Sequence, residues 1–317
     1  MLQYLIILLD DTSTSFCHYK NNKSVYRLMP IDMLRKGIRF GMIENLMIQF
    51  VYPGYELPQE YKDAIETIDH SKIVSALCKD EELKENADVI VFHDWTELDH
   101  CTFDKDKLYA LRTTKSNFFN RYHSLKNVLG IVSRLNIVLT DVENFVEEDF
   151  AKYKQCLSYL SDNMLAFYKE GESPQLNILT DRMVLDGMNN CNAGCESITL
   201  APNGKFYVCP AFYYEQDFSI GSLTEGLDIK NPQLYKLSYA PICRHCDAYQ
   251  CRRCIWLNKK TTLEVNTPSH EQCVVAHIER NASKELLRRG RELGEFLPGK
   301  DIEGISYLDP FDKREEW

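Results

Sequence analysis

Twelve cysteines occupy positions 17, 78, 101, 156, 191, 195, 209, 243, 246, 251, 254 and 273. An even spread would place about three of them between 191 and 273, yet eight fall there: Cys191, Cys195, Cys209, Cys243, Cys246, Cys251, Cys254 and Cys273. The apolar run Leu5–Leu9 near the start is short and is followed by Asp10 and Asp11. That is neither the h-region of a signal peptide nor the ~20 residues of a membrane span. A cytoplasmic location is therefore expected, where thiols stay reduced. A dense, even-numbered thiol cluster then reads as metal ligation rather than disulfides.

The spacing sharpens this reading. Cys243-x2-Cys246 and Cys251-x2-Cys254 each bring two sulfurs within reach of one metal centre. Pro202-Asn203-Gly204 is a tight-turn signal between strand-like Ser197–Leu200 and Lys205–Val208. That hairpin would carry Cys209 back towards Cys191 and Cys195. Eight thiolates make two four-thiolate sites. Zinc ribbons separate their two Cys-x2-Cys steps by about 15–20 residues, whereas four separate Cys246 from Cys251. Iron–sulfur clusters suit such close packing better, with two zinc ions as the alternative.

The elements that must position these residues differ before and after about residue 180. Short, almost continuously apolar runs predict strands at Tyr4–Leu9, Leu46–Val51, Ile73–Leu77, Val89–His93, Tyr109–Arg112, Leu135–Leu139 and Leu176–Leu179. Helices are expected at Ile31–Glu44, Pro58–Asp69, Asn117–Ser133 and Glu147–Lys169. In the last, Phe150, Tyr153, Leu157, Leu160, Met164 and Phe167 make one buried stripe. The repeating strand–helix order implies an α/β fold, an open sheet or a partial barrel. Function gathers at the C-terminal strand ends in such folds. Here those ends carry Asp10, Asp11, Asp94, Thr140, Asp141, Thr180 and Asp181, whose simpler role is turn and N-cap formation.

Lys+Arg 37 against Asp+Glu 47 gives a net charge of -10, which argues against nucleic acid or an anionic membrane as partner. The 44% hydrophobic content belongs to a folded globular chain.

The order Cys-x-Ala-Gly…Pro-x-Gly-x4-Cys…Cys-x2-Cys…Cys…Cys…Cys resembles the SPASM domain of radical SAM peptide-modifying enzymes, as do Gly204-x4-Cys209 and the following Ile220-Gly221-Ser222-Leu223. The resemblance implies two [4Fe–4S] clusters. By order, Cys191, Cys195, Cys209 and Cys254 would hold the first, and Cys243, Cys246, Cys251 and Cys273 the second. The two gaps after the Cys-x2-Cys pair are x4 and x2 here, each one residue shorter than usual in that family. It further implies a partial (β/α) barrel of radical SAM type over residues 1–182, with the SPASM-like domain, C-terminal helix and tail over 183–317. In the loop after the first strand, where such barrels carry Cys-x3-Cys-x2-Cys, this chain has Ser13, Cys17 and Lys20. Tyr52-Pro-Gly54-Tyr-Glu56-Leu-Pro58 stands where the family keeps Gly-Gly-Glu-Pro. The barrel is thus expected to have lost its SAM cluster, and SAM is not an expected ligand.

With the opening Tyr4-Leu-Ile-Ile-Leu-Leu-Asp-Asp-Thr-Ser-Thr-Ser-Phe-Cys-His-Tyr19, the chain is similar to the CXXX repeat peptide maturase family. This implies an accessory protein of a radical SAM enzyme, acting on a ribosomally made Cys-repeat precursor peptide. Its clusters would relay electrons or contact substrate. A zinc-stabilised, non-redox peptide-binding scaffold is the alternative.

Other residues read more simply. Cys78 and Cys156 are small buried hydrophobes. Cys101 has no paired base, and Cys17 beside His18 is poorly placed for a Cys–His nucleophile. His245, His270 and His277 are spare ligands where eight thiols are available. Arg244, Arg252 and Arg253 either offset thiolate charge or form a solvated face. Residues 274–293 read as one amphipathic helix, and Leu297–Trp317 as packed strapping.

Overall fold

A computed structural model describes residues 2–19, 21, 23–188, 190–216 and 218–302. Lys20 and the tail beyond 302 lie outside the described residues. The strands are β1 (Tyr4–Leu8), β2 (Met47–Val51), β3 (His70–Ser75), β4 (Val89–Phe92), β5 (Leu108–Thr113) and β6 (Arg134–Leu139), then β7 (Gln175–Leu176), β8 (Ser197–Leu200), β9 (Lys205–Tyr207), β10 (Ser219–Ser222) and β11 (Gly226–Leu227). The helices are α1 (Ile31–Ile43), α2 (Gln59–Ile65), α3 (Glu81–Glu85), α4 (Trp95–Asp99) and α5 (Lys115–Arg121), then α6 (Leu125–Leu129), α7 (Glu147–Lys169), α8 (Asn177–Val184), α9 (Ile255–Thr262) and α10 (His270–Arg291). Among the described residues no helix is long and apolar enough to cross a membrane.

The chain forms two units, neither continuous: 1–101 with 192–236, and 102–191 with 237–317. The first holds strands in the order β11-β10-β9-β8-β1-β2-β3-β4. β1 to β4 are parallel, with Leu5 opposite Ile48 and Ile73 opposite Val89. β8 joins β1 in parallel, Leu5 opposite Ile198, and β9 returns antiparallel with Leu200 opposite Phe206. Leu5, Ile7, Leu8 and Leu9 are fully buried, which is why this stretch is apolar without alternation. Helix α1 lies close on the sheet through two glycines. A Cβ at Gly37 would collide with Leu200 Cδ2, and one at Gly41 would stand 2.6 Å from Ile48 Cδ1.

The second unit holds the parallel strands β5-β6-β7, with Tyr109 opposite Leu135 and Leu135 opposite Leu176. Helix α7 has the expected bounds and buries Phe150, Tyr153, Leu157, Leu160 and Met164. Helix α10 begins four residues before the expected start, where Ser269 Oγ accepts from Gln272 N at 3.3 Å and caps it.

Among the expected elements β3 starts three residues early, at His70, and three others differ more. Residues 117–133 do not form one helix: a 3-10 turn at Tyr122–Ser124 separates α5 from α6, and Ser124 Oγ donates to the Arg121 carbonyl at 2.9 Å. A short side chain bonding locally competes with the helical ladder. Likewise α2 ends at Ile65, where Thr67 Oγ1 donates to Ala64 O at 2.7 Å. The run Leu176–Leu179 is mostly helix. After the two residues of β7, Asn177 turns its amide on to β6: Oδ1 accepts from Ile137 N at 2.7 Å and Nδ2 donates to Ile137 O at 3.0 Å. Thr180 Oγ1 likewise bonds both the N and O of Leu176 at 3.0 Å. Thr180 and Asp181 therefore belong to α8, not to a strand end.

Candidate metal centre and the strand-end cluster

In the first unit the loop after β1 is filled by its own polar groups. Asp10 N donates to Ser13 Oγ at 3.1 Å, and Ser13 N donates to Asp10 O at 3.0 Å. Asp10 Oδ1 accepts from Thr12 N at 2.8 Å, while Oδ2 accepts from Tyr55 OH at 3.0 Å. Asp11 pairs with Arg27, Nε to Oδ2 3.0 Å, and its Oδ1 accepts from Tyr213 OH. Arg27 Nη2 also donates to Tyr213 OH at 2.8 Å. Tyr214 OH donates to Ser13 O at 2.5 Å, and its ring stacks on Tyr19 with centroids 5.0 Å apart. Burial pushes the Tyr213 and Tyr214 phenols well up, so both stay protonated donors.

Tyr213 and Tyr214 come from the irregular turn Phe212–Gln216 just after β9. Nothing in the sequence spacing pointed from this turn to Asp11 or Ser13. Cys17 is half-buried and accepts from Ser15 Oγ at 3.1 Å. With Ser13 fully buried and its hydroxyl engaged, this loop does not fit a three-thiolate iron site. Elsewhere the simpler reading holds for Asp94, whose Oδ1 caps α4 through Thr96 N at 2.8 Å, whereas the Asp141 side chain does not cap the turn that follows it and instead accepts from Lys115 N at 2.8 Å.

Of the eight clustered thiols, Cys195 and Cys209 lie in the first unit and the other six in the second. In the first unit the expected hairpin forms, and the turn before it approaches its return strand. Gly194 has φ +76°, and a Cβ there would stand 2.9 Å from both Val208 Cγ1 and Tyr235 Cγ. The backbone beside Cys195 is thus held against the residue before Cys209. Burial, followed by the charge of Cys209, pushes the Tyr235 phenol up.

In the second unit, Cys191 N donates to O of Arg252, the residue after Cys251, at 3.2 Å. Cys243 opens the 3-10 turn Cys243–His245, and Cys254 is the residue before α9. Two sulfurs accept backbone amides two residues on: Cys246 Sγ from Ala248 N and Cys251 Sγ from Arg253 N, each at 3.4 Å. Such N–H groups aimed at sulfur favour thiolate. Burial pushes the Cys251 thiol up, and the neighbouring Cys243 and Cys246 add to the shift. Cys273 and His277 are one helical turn apart on α10, both buried. His277 Nε2 stands 3.6 Å from Cys246 Sγ, so this face of α10 is turned to the cysteine loop. Cys273 shares the helix face of His277, which meets Cys246. Among the described residues no group of three His, Cys, Asp or Glu side chains converges closely enough to hold a metal ion. What fits thiolate ligation is the donor chemistry: soft sulfurs on one loop and the amides aimed at them.

Buried ions surround that loop. Arg280 Nε and Arg182 Nη2 share Asp247, at 2.5 and 3.4 Å, the residue after Cys246. Arg253 is 2% exposed, so it is no solvated face; Arg244 is exposed. Glu279 accepts from Tyr153 OH at 2.7 Å, and burial pushes its carboxyl up to about 7. Cys78 and Cys156 are buried packing residues, as expected, and burial pushes the Cys156 thiol up to about 12.

No family model matches the chain, and no curated protein matches it. Solved structures do. Hexahistidine-tagged anSMEcpe with bound AdoMet superposes with a TM-score of 0.64 at 12% identity, over 94% of this chain and 97% of that one. Native anSMEcpe with bound AdoMet and Cp18Cys peptide gives 0.58 at 15%, over 92% and 100%. Streptococcus suis SuiB bound to precursor peptide SuiA gives 0.50 at 11%, over 84% and 75%. The fold is the mixed α/β architecture of radical SAM/SPASM enzymes, with a large parallel sheet and its covering helices.

Proposed function

We propose that this chain is an iron–sulfur accessory protein that acts with a radical SAM enzyme in modifying a ribosomally made, cysteine-repeat precursor peptide. The observation that carries the reading is the contrast between two loops. The loop after β1 offers one thiol and is closed by Ser13, Asp10 and Tyr214. The segment from Cys191 to Cys273 concentrates eight thiols, with amides aimed at two of them.

In this reading Cys191, Cys195, Cys209 and Cys254 hold one [4Fe–4S] cluster, and Cys243, Cys246, Cys251 and Cys273 hold the other. Each cluster, when bound, supplies one-electron transfer. Functionally, residues 1–182 act as a barrel without a SAM cluster and 183–317 as the cluster-bearing domain. A cytoplasmic setting keeps the thiols reduced. The peptide part of the proposal is supported by the resemblance in sequence and by a fold shared with SuiB, which is known bound to its precursor peptide SuiA.

The experiment is anaerobic reconstitution with iron and sulfide, followed by metal analysis and an assay for 5′-deoxyadenosine. The expected result is roughly eight irons per chain with no SAM cleavage by the chain alone, and peptide modification only with the radical SAM partner. Repeated turnover of SAM by the isolated chain would overturn the accessory role. A colourless protein carrying two zinc ions would decide for the scaffold.

A further inference from the structure

Helices α2 and α3, which follow β2 and β3, border a cavity of about 500 Å³ that lies wholly in the first unit. None of its lining residues belongs to the loop after β1. One wall is Tyr52, the residue after β2, which is 4% exposed and meets Phe50 edge-on with ring centroids 6.4 Å apart. Its hydroxyl has no hydrogen-bond partner among the described residues. Burial, then the charges of Glu66 and Asp80, push this phenol well up, so it stays a protonated donor. A buried donor is costly to leave without an acceptor.

Two lysines of the same lining have donors to spare, because an ammonium carries three N–H groups. Lys62 Nζ uses two of them, on Glu56 Oε1 and Asp80 Oδ2, each at 2.8 Å. Lys72 Nζ uses one, on Glu66 Oε1 at 2.8 Å. Asp80 is itself fixed, since its Oδ1 accepts from Leu83 N at 3.1 Å. Three side chains of one cavity thus offer donors that no described residue takes up. The opposite need stands at the rim, where Glu82 is exposed and makes no ion pair with a described residue. Leu57 and Leu83 add apolar wall. A phosphate could use the same donors, but its second charge would face Glu56, Glu66, Asp80 and Glu82. A carboxylate brings one charge only.

We infer that this cavity binds a small zwitterion, its carboxylate on the Tyr52 hydroxyl and the spare N–H groups of Lys62 and Lys72, its ammonium towards Glu82. The volume suits a molecule of dipeptide size. The inference is independent of the iron–sulfur reading, because it uses no cysteine.

The test is titration of the isotope-labelled full chain with the dipeptide alanyl-alanine, read by backbone amide NMR shifts. The Leu83 and Asn86 amides should move and saturate. N-acetyl-alanyl-alanine lacks the ammonium and alanyl-alanine amide lacks the carboxylate, so each should bind about tenfold more weakly. Tyr52→Phe keeps the ring on Phe50 and should weaken alanyl-alanine binding by about tenfold, the size of one hydrogen bond to a charged group. Glu82→Gln, at an exposed position, should erase the difference between alanyl-alanine and its acetyl form. Absence of a saturable shift would overturn the inference. So would equal binding of the three dipeptides, tighter binding of inorganic phosphate, or undiminished binding by Tyr52→Phe.

Discussion

Tyr214 donates its phenolic hydrogen bond to the Ser13 carbonyl at 2.5 Å across 201 residues of sequence. A residue just after the hairpin of β8 and β9 thereby closes the loop that follows β1. Its neighbour Tyr213 does the same for Asp11, which is 6% exposed. Replacing Tyr213 with Phe leaves that carboxylate with Arg27 and a lost donor. We expect a loss of about 1–3 kcal/mol in urea unfolding, with iron content unchanged. Equal stability of the variant would show that the cluster at the strand end is not tightly held.

Ligand assignment is tested by serine substitutions. Cys209→Ser and Cys251→Ser should each remove about half of the iron, because they belong to different four-thiolate sets. Cys78→Ala and Cys156→Ala should lose none, since both side chains pack in the interior. Full iron in Cys209→Ser would break the assignment of the first set.

A glycine gives a subtler test of the same set. Gly194→Ala places a methyl against Val208 and Tyr235 at a positive φ, where an L-residue is strained. The turn must shift, and Cys195 with it. Iron bound by the first set should fall while the second set keeps its signal.

The Glu279 carboxyl is raised from 4.5 to about 7 by burial. Above pH 4.5 the unfolded chain loses this proton before the folded chain does, so stability should fall as pH rises from 4.5 to 7 and level off above. The size is on the order of 3 kcal/mol. Glu279→Gln keeps an acceptor for Tyr153 and should flatten that slope in denaturant midpoints measured from about pH 4.5 to 8. A slope that survives the substitution would assign it to another group.

Legibility from sequence followed the range of the interactions. Helix α7 and strand β8 were readable to the residue because one apolar pattern decides each of them. The break between α5 and α6 was not, since a single serine bonding to Arg121 outweighs an apolar stripe that continues through it. The cysteine loop declared itself through spacing alone. The partners of Asp11 did not, because Arg27 and Tyr213 are brought to it by sheet pairing, and their types recur throughout the chain. The buried pair Arg182 and Arg280 is hidden for the same reason, as the apolar start of α8 reads as a strand.

Asn177 has a consequence for how this protein survives in a crowded solution. Beyond the two residues of β7, the outer rim of β6 would present a free N–H and C=O at Ile137, an invitation to a passing strand from another molecule. The Asn177 amide answers both groups, as a strand would, but offers no further rung to extend. One side chain thus ends a ladder that a longer β7 would have left open to polymerisation. That rung is filled by an amide that imitates a peptide bond, with no charge placed there.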